Sequence, residues 1–585
     1  MNAFFNRAAA SFFGVVLLSM PSLADTQETA KILSTAINGS GKAQYTAIDD
    51  LGERHEDASI VVPKLRQLLK SDDKQVRWRS VRTLGDFGSL AKNAAPDIVK
   101  LLNDKDPIVD YHAVIALGKI EDRSDSTIDA LVDLATNKDA RIARAAIASL
   151  RNLKPGPERV AAALKNALTS KDQAVELHAL EAIVEEGGKA VPLLKETLKQ
   201  PETAYLACAA VEQIGPEAAD TLPELTELLG KTKHSHLLIQ ALLAVAAIGP
   251  AAQPAESAIL PHLKMTTDDT VPVAAAYALG AIGAKDADAP LRNAVAKNDP
   301  FLRMVASWAL AKLHPNDQQL MKDAVGSLTK GLADEKPQIR TAAAKGLQML
   351  QAPPEMVGPA LMTVANDPDP NVSANIVSAI AGLGESAVPR LVKALQKPNA
   401  RPLALRVLIK LGPKAAGAVD ALIAASKDAD PEYREKIYFA LAAIGPAAAP
   451  ATETLTEAIS NNDKGVRESA LYALREIGPG AKGAIRPLLR KMDSDRSFDS
   501  LAAAWALSSI ASGNEAVGKR VLPVLLRGLS NADEETRLNS TEAIADWGPI
   551  AAGAAAELKK IAHEDKSPAV REAAEIALKR VANRS

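Results

Sequence analysis

The residues able to ligate a metal or attack a substrate are thinly spread: eight histidines and a single cysteine among 585 residues. His55-Glu56 and His563-Glu564 each set an imidazole beside a carboxylate, but they stand at opposite ends of the chain. His234-x-His236 offers two ligands and lacks the third that a zinc site needs. Asp72-Asp73 and Asp268-Asp269 pair carboxylates at turns, where solvated capping is the expected work. Cys208 has no second thiol in the chain to pair with and reads as a structural residue. No Ser-His-Asp arrangement, Walker loop, dinucleotide fingerprint or zinc-knuckle spacing occurs. The expectation is a chain without catalytic residues, metal or cofactor.

Recognition chemistry is better supplied, because aromatic and arginine side chains recur in register. A leucine-like anchor returns about every 33 residues: Leu51, Leu84, Leu117, Leu150, Ile183, Val211, Val245, Leu279, Leu310, Leu347, Ile380, Leu408, Leu441, Leu474, Leu507, Ile544 and Leu578. With each anchor as position 0, Tyr45, Trp78, Tyr111 and Tyr205 fall at −6, and Tyr277, Trp308, Phe439, Tyr472 and Trp505 at −2. Phe301 and Phe498 fall at −9. On a helical projection these rows point away from the apolar face, which predicts an exposed aromatic stripe; Phe87, Tyr433, Tyr438 and Trp547 are left for the core or its margin. Exposed Tyr and Trp give large contact area at low entropic cost and dominate binding hot spots. Arginine recurs at −7: Arg77, Arg303, Arg340, Arg401, Arg434, Arg467, Arg537 and Arg571. That row is expected to form an Asp–Arg ladder between adjacent repeats, with an anion-binding row as the functional alternative.

These rows need a helix to carry them. Around Leu474, apolar or small residues stand at −8, −4, −1, 0 and +3, which share one face at 100° per residue. Position −4 is nearly always small, as at Ala113, Ala146, Ala275 and Ala470, so two helix backbones can approach closely. Aspartate at −11, as in Asp73, Asp106, Asp299 and Asp463, is placed to cap the helix start. Gly-Pro follows the helix at Gly215-Pro216, Gly249-Pro250, Gly412-Pro413, Gly445-Pro446, Gly478-Pro479 and Gly548-Pro549, with glycine predicted to end it in a left-handed turn. A second apolar helix with an early proline, such as Val388-Pro389-Arg390-Leu391, precedes each aspartate. Each unit therefore reads as helix A, a short turn, then helix B. A period of this length means stacked repeats, each burying its apolar face against its neighbours. Apolar residues make up 47% of the chain and aromatics 3%, so alanine and leucine carry the core. Lys plus Arg (69) against Asp plus Glu (71) gives a net charge of −2, no global footprint for nucleic acid.

The pattern Asp-x-x-Val-Arg-x-x-Ala-x-x-Ala-Leu-x-x-Ile-Gly-Pro, seen whole at Asp463 to Pro479, resembles HEAT repeats, and most of all the PBS-lyase-type HEAT-like repeats of bacteria. The resemblance covers about residues 40–582. It implies an all-α, right-handed superhelical solenoid of the armadillo type with about seventeen helical hairpins, its B helices lining the concave surface. Deoxyhypusine hydroxylase is similar to this scaffold and holds two irons with His-Glu pairs at the starts of such helices. His112 and His178 stand near those places, but Ala113 and Ala179 follow them where glutamate is required. The phycobilin lyases share the repeat, yet nothing in this sequence identifies a bilin pocket.

Residues 1–24 read differently. Arg7 precedes an apolar run from Ala8 to Met20, and Ser22-Leu23-Ala24 supplies the small residues of a cleavage site, so a signal peptide cut after Ala24 is expected. No later segment reads as membrane-spanning. Residues 25–585 would then form one solenoid in the periplasm or outside the cell. The function expected is a non-enzymatic scaffold that binds a protein or extended peptide along the concave B-helix surface. Trp78, Tyr111, Tyr205, Tyr277, Trp308, Phe439, Tyr472 and Trp505 would serve as its anchors. The alternatives are a lyase- or hydroxylase-type enzyme or cofactor carrier, and an envelope glycan binder.

Overall fold

The computed structural model describes residues 23–582 except Asn103, 265–267, Gln351, 354–355, 359–366, 495–497 and Lys566. Residues 1–22, nearly all of the expected leader, lie outside the described residues; the expected cleavage point after Ala24 falls in the first turn of the helix Leu23–Asn38. Among the described residues every regular element is a helix. The chain divides into two compact units, residues 1–182 and 183–585. Within each, helical hairpins stack so that one B helix packs on the next.

The stacking follows from the rows of small and apolar residues. Every anchor from Leu51 to Ile544 is at most 3% exposed. Leu578, in the helix Pro568–Ala582, is half-buried, because no described repeat stacks beyond it. Alanines at −4 and −1, such as Ala470 and Ala473 in the helix Lys464–Ile477, are fully buried in the seam. There the helices come close enough for backbone to meet side chain. A Cβ added to Gly118, one residue past its anchor in the helix Pro107–Ile120, would lie 2.9 Å from the Ser149 Cα in the next B helix, Ala140–Leu153.

The −11 aspartates do cap their helices. Asp106 accepts from the Ile108 N–H at 3.0 Å, Asp369 from Asn371 at 2.8 Å, and Asp463 from Val466 at 3.0 Å. Each such cap contributes about 1 kcal/mol. Helix ends differ from expectation. Gly445 and Gly478 have positive φ, 72° and 63°, but ψ of −137°, outside the left-handed helical region. The proline that follows each disfavours helical ψ in the residue before it, and only glycine adopts the remaining combination comfortably. A 3-10 turn then leads to the next A helix, as Gly478–Ala484 leads to Ile485–Ser494.

One run, Ser235–Leu263, is long and apolar enough to cross a membrane by composition, which the sequence reading had not anticipated. Gly249-Pro250 breaks it into the 14-residue helix Ser235–Ile248, the 3-10 turn Gly249–Ala255 and short helical turns beyond. No continuous piece reaches the ~20 residues that a spanning helix needs.

Candidate functional site

The arginine row closes the turns between helices. Arg77 donates from Nη1 to the carbonyls of Ser71 and Asp72, at positions −13 and −12 of its own repeat. Its Nε and Nη2 meanwhile grip both carboxylate oxygens of Asp104, at 3.0 and 2.8 Å. Arg340 treats Asp334, Glu335 and Asp367 in the same way, and Arg537 treats Asn531, Ala532 and Asp565 likewise. Asp104, Asp367 and Asp565 are the −13 residues of the following repeats. Each also accepts the −11 backbone N–H of its own turn, at 2.9 Å. The −11 aspartates are thus left to cap helices. Arg467 bonds Asp499 at 2.7 Å, a carboxylate shared with Lys491 at 2.8 Å. Arg303, Arg401, Arg434 and Arg571 are held by backbone carbonyls of their own turns. Arg77, Arg340 and Arg537 are largely buried and fully engaged, so they are part of the frame.

The aromatic row divides. In the first unit, Trp78 is half-buried on the helix Lys74–Asp86 and donates from its indole N–H to Gln75 at 3.0 Å. The His112 ring stacks on it at 5.0 Å, and Tyr111 meets His112 edge-on at 5.6 Å. The guanidinium groups of Arg79 and Arg82 lie 4.4 and 5.4 Å from the Trp78 ring centre, and both pair with Asp49. Burial, and secondarily the charge of Arg82, holds His112 below the usual histidine range. Rings and cations therefore share this face.

In the second unit Tyr205 is exposed on the helix Ala204–Ile214. Two of the three tryptophans expected in the exposed stripe are not exposed. Trp308 is 2% accessible and Trp505 8%. The reason is the smallness of their neighbours. The Trp308 ring lies so close over the preceding B helix that a Cβ on Gly280 would meet it at 2.8 Å, and Tyr277 covers it at 5.3 Å. Trp505 reaches across the seam in the other direction and donates to the Ser540 hydroxyl at 3.2 Å. At the same −2 position Phe439 and Tyr472 stay out of the seam, 38% and 44% exposed.

Phe439, Tyr472, Phe498 and Trp505 line one cavity of about 280 Å³ on the B-helix face of four consecutive repeats, between the helices Pro431–Ile444, Lys464–Ile477, Phe498–Ala511 and Glu534–Asp546. Phe439 and Tyr472 tilt together at 5.9 Å, and Phe498 stands edge-on to Trp505 at 5.6 Å. Glu435, Glu468 and Glu535 share the lining with Arg475 and Asn539. Sequence reasoning missed these carboxylates, although Glu435 and Glu468 occupy the same −6 row as Trp78 and Tyr111. Laying that row out for every repeat would have found them.

His55 stacks on Phe87 at 5.1 Å, and the side chains of Glu56, His563 and Glu564 lie outside those described. Among the described residues no three His, Cys, Asp or Glu side chains gather in a way that would hold a metal ion. Cys208 is buried, and burial pushes its thiol up to about 12.

The sequence matches the family model described as HEAT repeats over residues 62–151, 256–348, 325–412 and 419–508, together more than half of the chain. No curated protein sequence matches it. Among solved structures the chain is similar to yeast importin-beta (Kap95p), at 13% identity over 96% of this chain and 86% of that one, with a TM-score of 0.50. It is also similar to Kap95 in the Kap95:Nup1 complex, at 13% identity over 94% and 93% of the two chains and a TM-score of 0.49. At such identity the likeness is one of fold.

Proposed function

We propose that this chain, which belongs to the HEAT-repeat family, is an exported, non-enzymatic scaffold that binds another protein or an extended peptide along its B-helix face. The observation that carries this reading is the aromatic cavity between Phe439, Tyr472, Phe498 and Trp505. Exposed rings on three successive B helices, Phe439, Tyr472 and Phe498, are expensive to leave in water, and they offer the anchoring contact that interfaces use. In the same reading the repeats are of the PBS-lyase type, and the leader 1–24 directs the chain to the periplasm. Tyr205 belongs to the same face within the second unit, with Trp308 and Trp505 supporting it from below, and the Trp78–Tyr111 cluster presents rings on the B helices of the first unit.

Two measurements test this. The exported protein should begin at Asp25. Envelope extract passed over the full mature chain should yield a partner that a folded F439S/Y472S variant loses. The same partner on both proteins would sink the assignment of the face, and a retained leader would sink the assignment of export.

A further inference from the structure

The cavity has a polarity as well as rings. Glu435, Glu468 and Glu535 contribute three carboxylates to its lining. The Oε1 of Glu468 is enclosed and accepts no hydrogen bond; it forms a long ion pair, 3.7 Å, with the exposed Lys464 ammonium of its own helix. The lining's one cation is already engaged. Arg475 donates to Asn539 at 2.7 Å and lies 3.8 Å from Glu542 and 3.9 Å from Glu476. What remains is a pocket walled by π faces and edges and rimmed by negative charge.

We infer that this cavity receives a cationic side chain, the arginine or lysine of an extended basic peptide. The inference rests on the scaffold reading above and adds the chemistry of the partner. A guanidinium or ammonium is attracted to aromatic faces by the ring quadrupole. Its charge complements the carboxylates of Glu435, Glu468 and Glu535 that share the lining. A neutral apolar side chain would use the rings but strand the carboxylates, which become costly to desolvate once covered. An acidic side chain would be repelled outright. Space also agrees, since about 280 Å³ takes one long side chain and not a folded element. Phe439 and Tyr472 then hold the alkyl stem, with the charged end toward Glu468.

The probe is a short glycine–serine peptide with one central arginine, dye-labelled, titrated onto the full mature chain by fluorescence anisotropy. Matched peptides carry citrulline, which keeps the shape and loses the charge, or glutamate. The arginine peptide should bind about tenfold more tightly than the citrulline one. Raising salt to about 0.5 M should shrink that preference, because the rim is solvent-facing. The variant E435Q/E468Q/E535Q keeps side-chain volume and should remove the preference while retaining its helical circular dichroism. Equal binding of the arginine and citrulline peptides, or a preference that survives in the glutamine variant, would overturn the inference. Partner capture separates the two levels. A partner lost by F439S/Y472S but kept by the glutamine variant overturns the cation assignment and leaves the scaffold standing. A partner kept by both variants overturns the face itself.

Discussion

Arg537 holds the Asp565 carboxylate by two hydrogen bonds, 2.6 and 2.9 Å long, across 28 residues of sequence and from one repeat to the next. Both side chains are buried, and the guanidinium also ties the carbonyls of Asn531 and Ala532. Removing one partner leaves a charge uncompensated in the seam. R537A should therefore destabilise the C-terminal repeats by about 3–5 kcal/mol. R537K should recover little, since an ammonium does not reproduce the fork that grips both oxygens. Urea denaturation followed by circular dichroism reads this directly, and an R537A loss under about 1 kcal/mol would contradict the buried-pair account.

The same clasp makes the array acid-sensitive. Burial alone would raise the carboxyls of Asp104, Asp367 and Asp565, but the hydrogen bonds from Arg77, Arg340 and Arg537 outweigh it, helped by the turn N–H groups, and all three lie below the usual aspartate range. A carboxyl depressed in the folded state is protonated first in the unfolded chain. Its contribution to stability is then fully present above the unfolded value of about 3.9 and is lost as pH falls through the folded value. Thermal midpoints should hold steady from pH 7 to about 5 and drop steeply below about 4. D367N should lower the plateau and flatten the drop. An unchanged slope in that variant would mean that other groups govern acid unfolding.

The rows of the repeat explain what the sequence reveals and what it hides. The anchor, the −4 alanine and the −11 aspartate each answer to one local rule, core face or helix cap, and are visible in a single repeat. The −13 residue is not. Ser71, Asp104, Asn137, Ser170, Asp334, Asp367, Asn461, Asn531 and Asp565 accept the −11 N–H, or its counterpart, in their turns. That row of Asp, Asn and Ser was legible as an Asx-type turn signal. An Asp–Arg ladder between adjacent repeats was expected, but not that the −13 row, 27 or 28 residues on from the arginine, supplies its aspartates, because that choice needs the stacking distance between repeats. The fate of the −2 rings was hidden for the same reason. Projection on one helix shows Trp308 and Tyr472 alike. Only the neighbouring helix, with Gly280 beneath one ring, separates a buried ring from an exposed one.

Close approach makes Gly118 intolerant of a side chain. An added methyl would sit 2.4 Å from the Ser149 Oγ and 2.9 Å from its Cα, and the hydroxyl is fixed by its hydrogen bond to the Val114 carbonyl at 3.0 Å. Rotating the serine does not relieve a clash with backbone. G118A should cost about 1–3 kcal/mol despite alanine's better helix propensity. Adding S149G, which relieves the Oγ and Cβ contacts, should recover only part. A neutral or stabilising G118A would show that the seam between these helices is looser than described.

Cys208 reports on opening of the second unit. Its thiol is buried and pushed up to about 12 by that burial, and a thiol that does not ionise is a poor nucleophile. A maleimide reagent at pH 7.5 should label the native chain slowly, at a rate independent of reagent concentration once opening limits it, and label the urea-unfolded chain at once. Fast labelling of the native state would place the thiol at the surface.

Trp308 and Tyr472 occupy the same −2 position and should respond oppositely to truncation. Trp308 is sealed between repeats, packed over Gly280 and stacked by Tyr277, so W308A opens a cavity and should cost about 3–5 kcal/mol. Its indole N–H is buried without a hydrogen-bond partner, so W308F gives up no bond and should cost much less than W308A. Tyr472 is 44% exposed and loses only part of its contact with Phe439, so Y472A should cost about 1 kcal/mol or less. Its price appears instead in binding, where a hot-spot ring is worth about 2 kcal/mol or more. Thermal denaturation and partner binding measured on both variants place each ring on one side of that division. A Y472A variant as unstable as W308A would make the exposed stripe part of the packing and remove its claim to recognition.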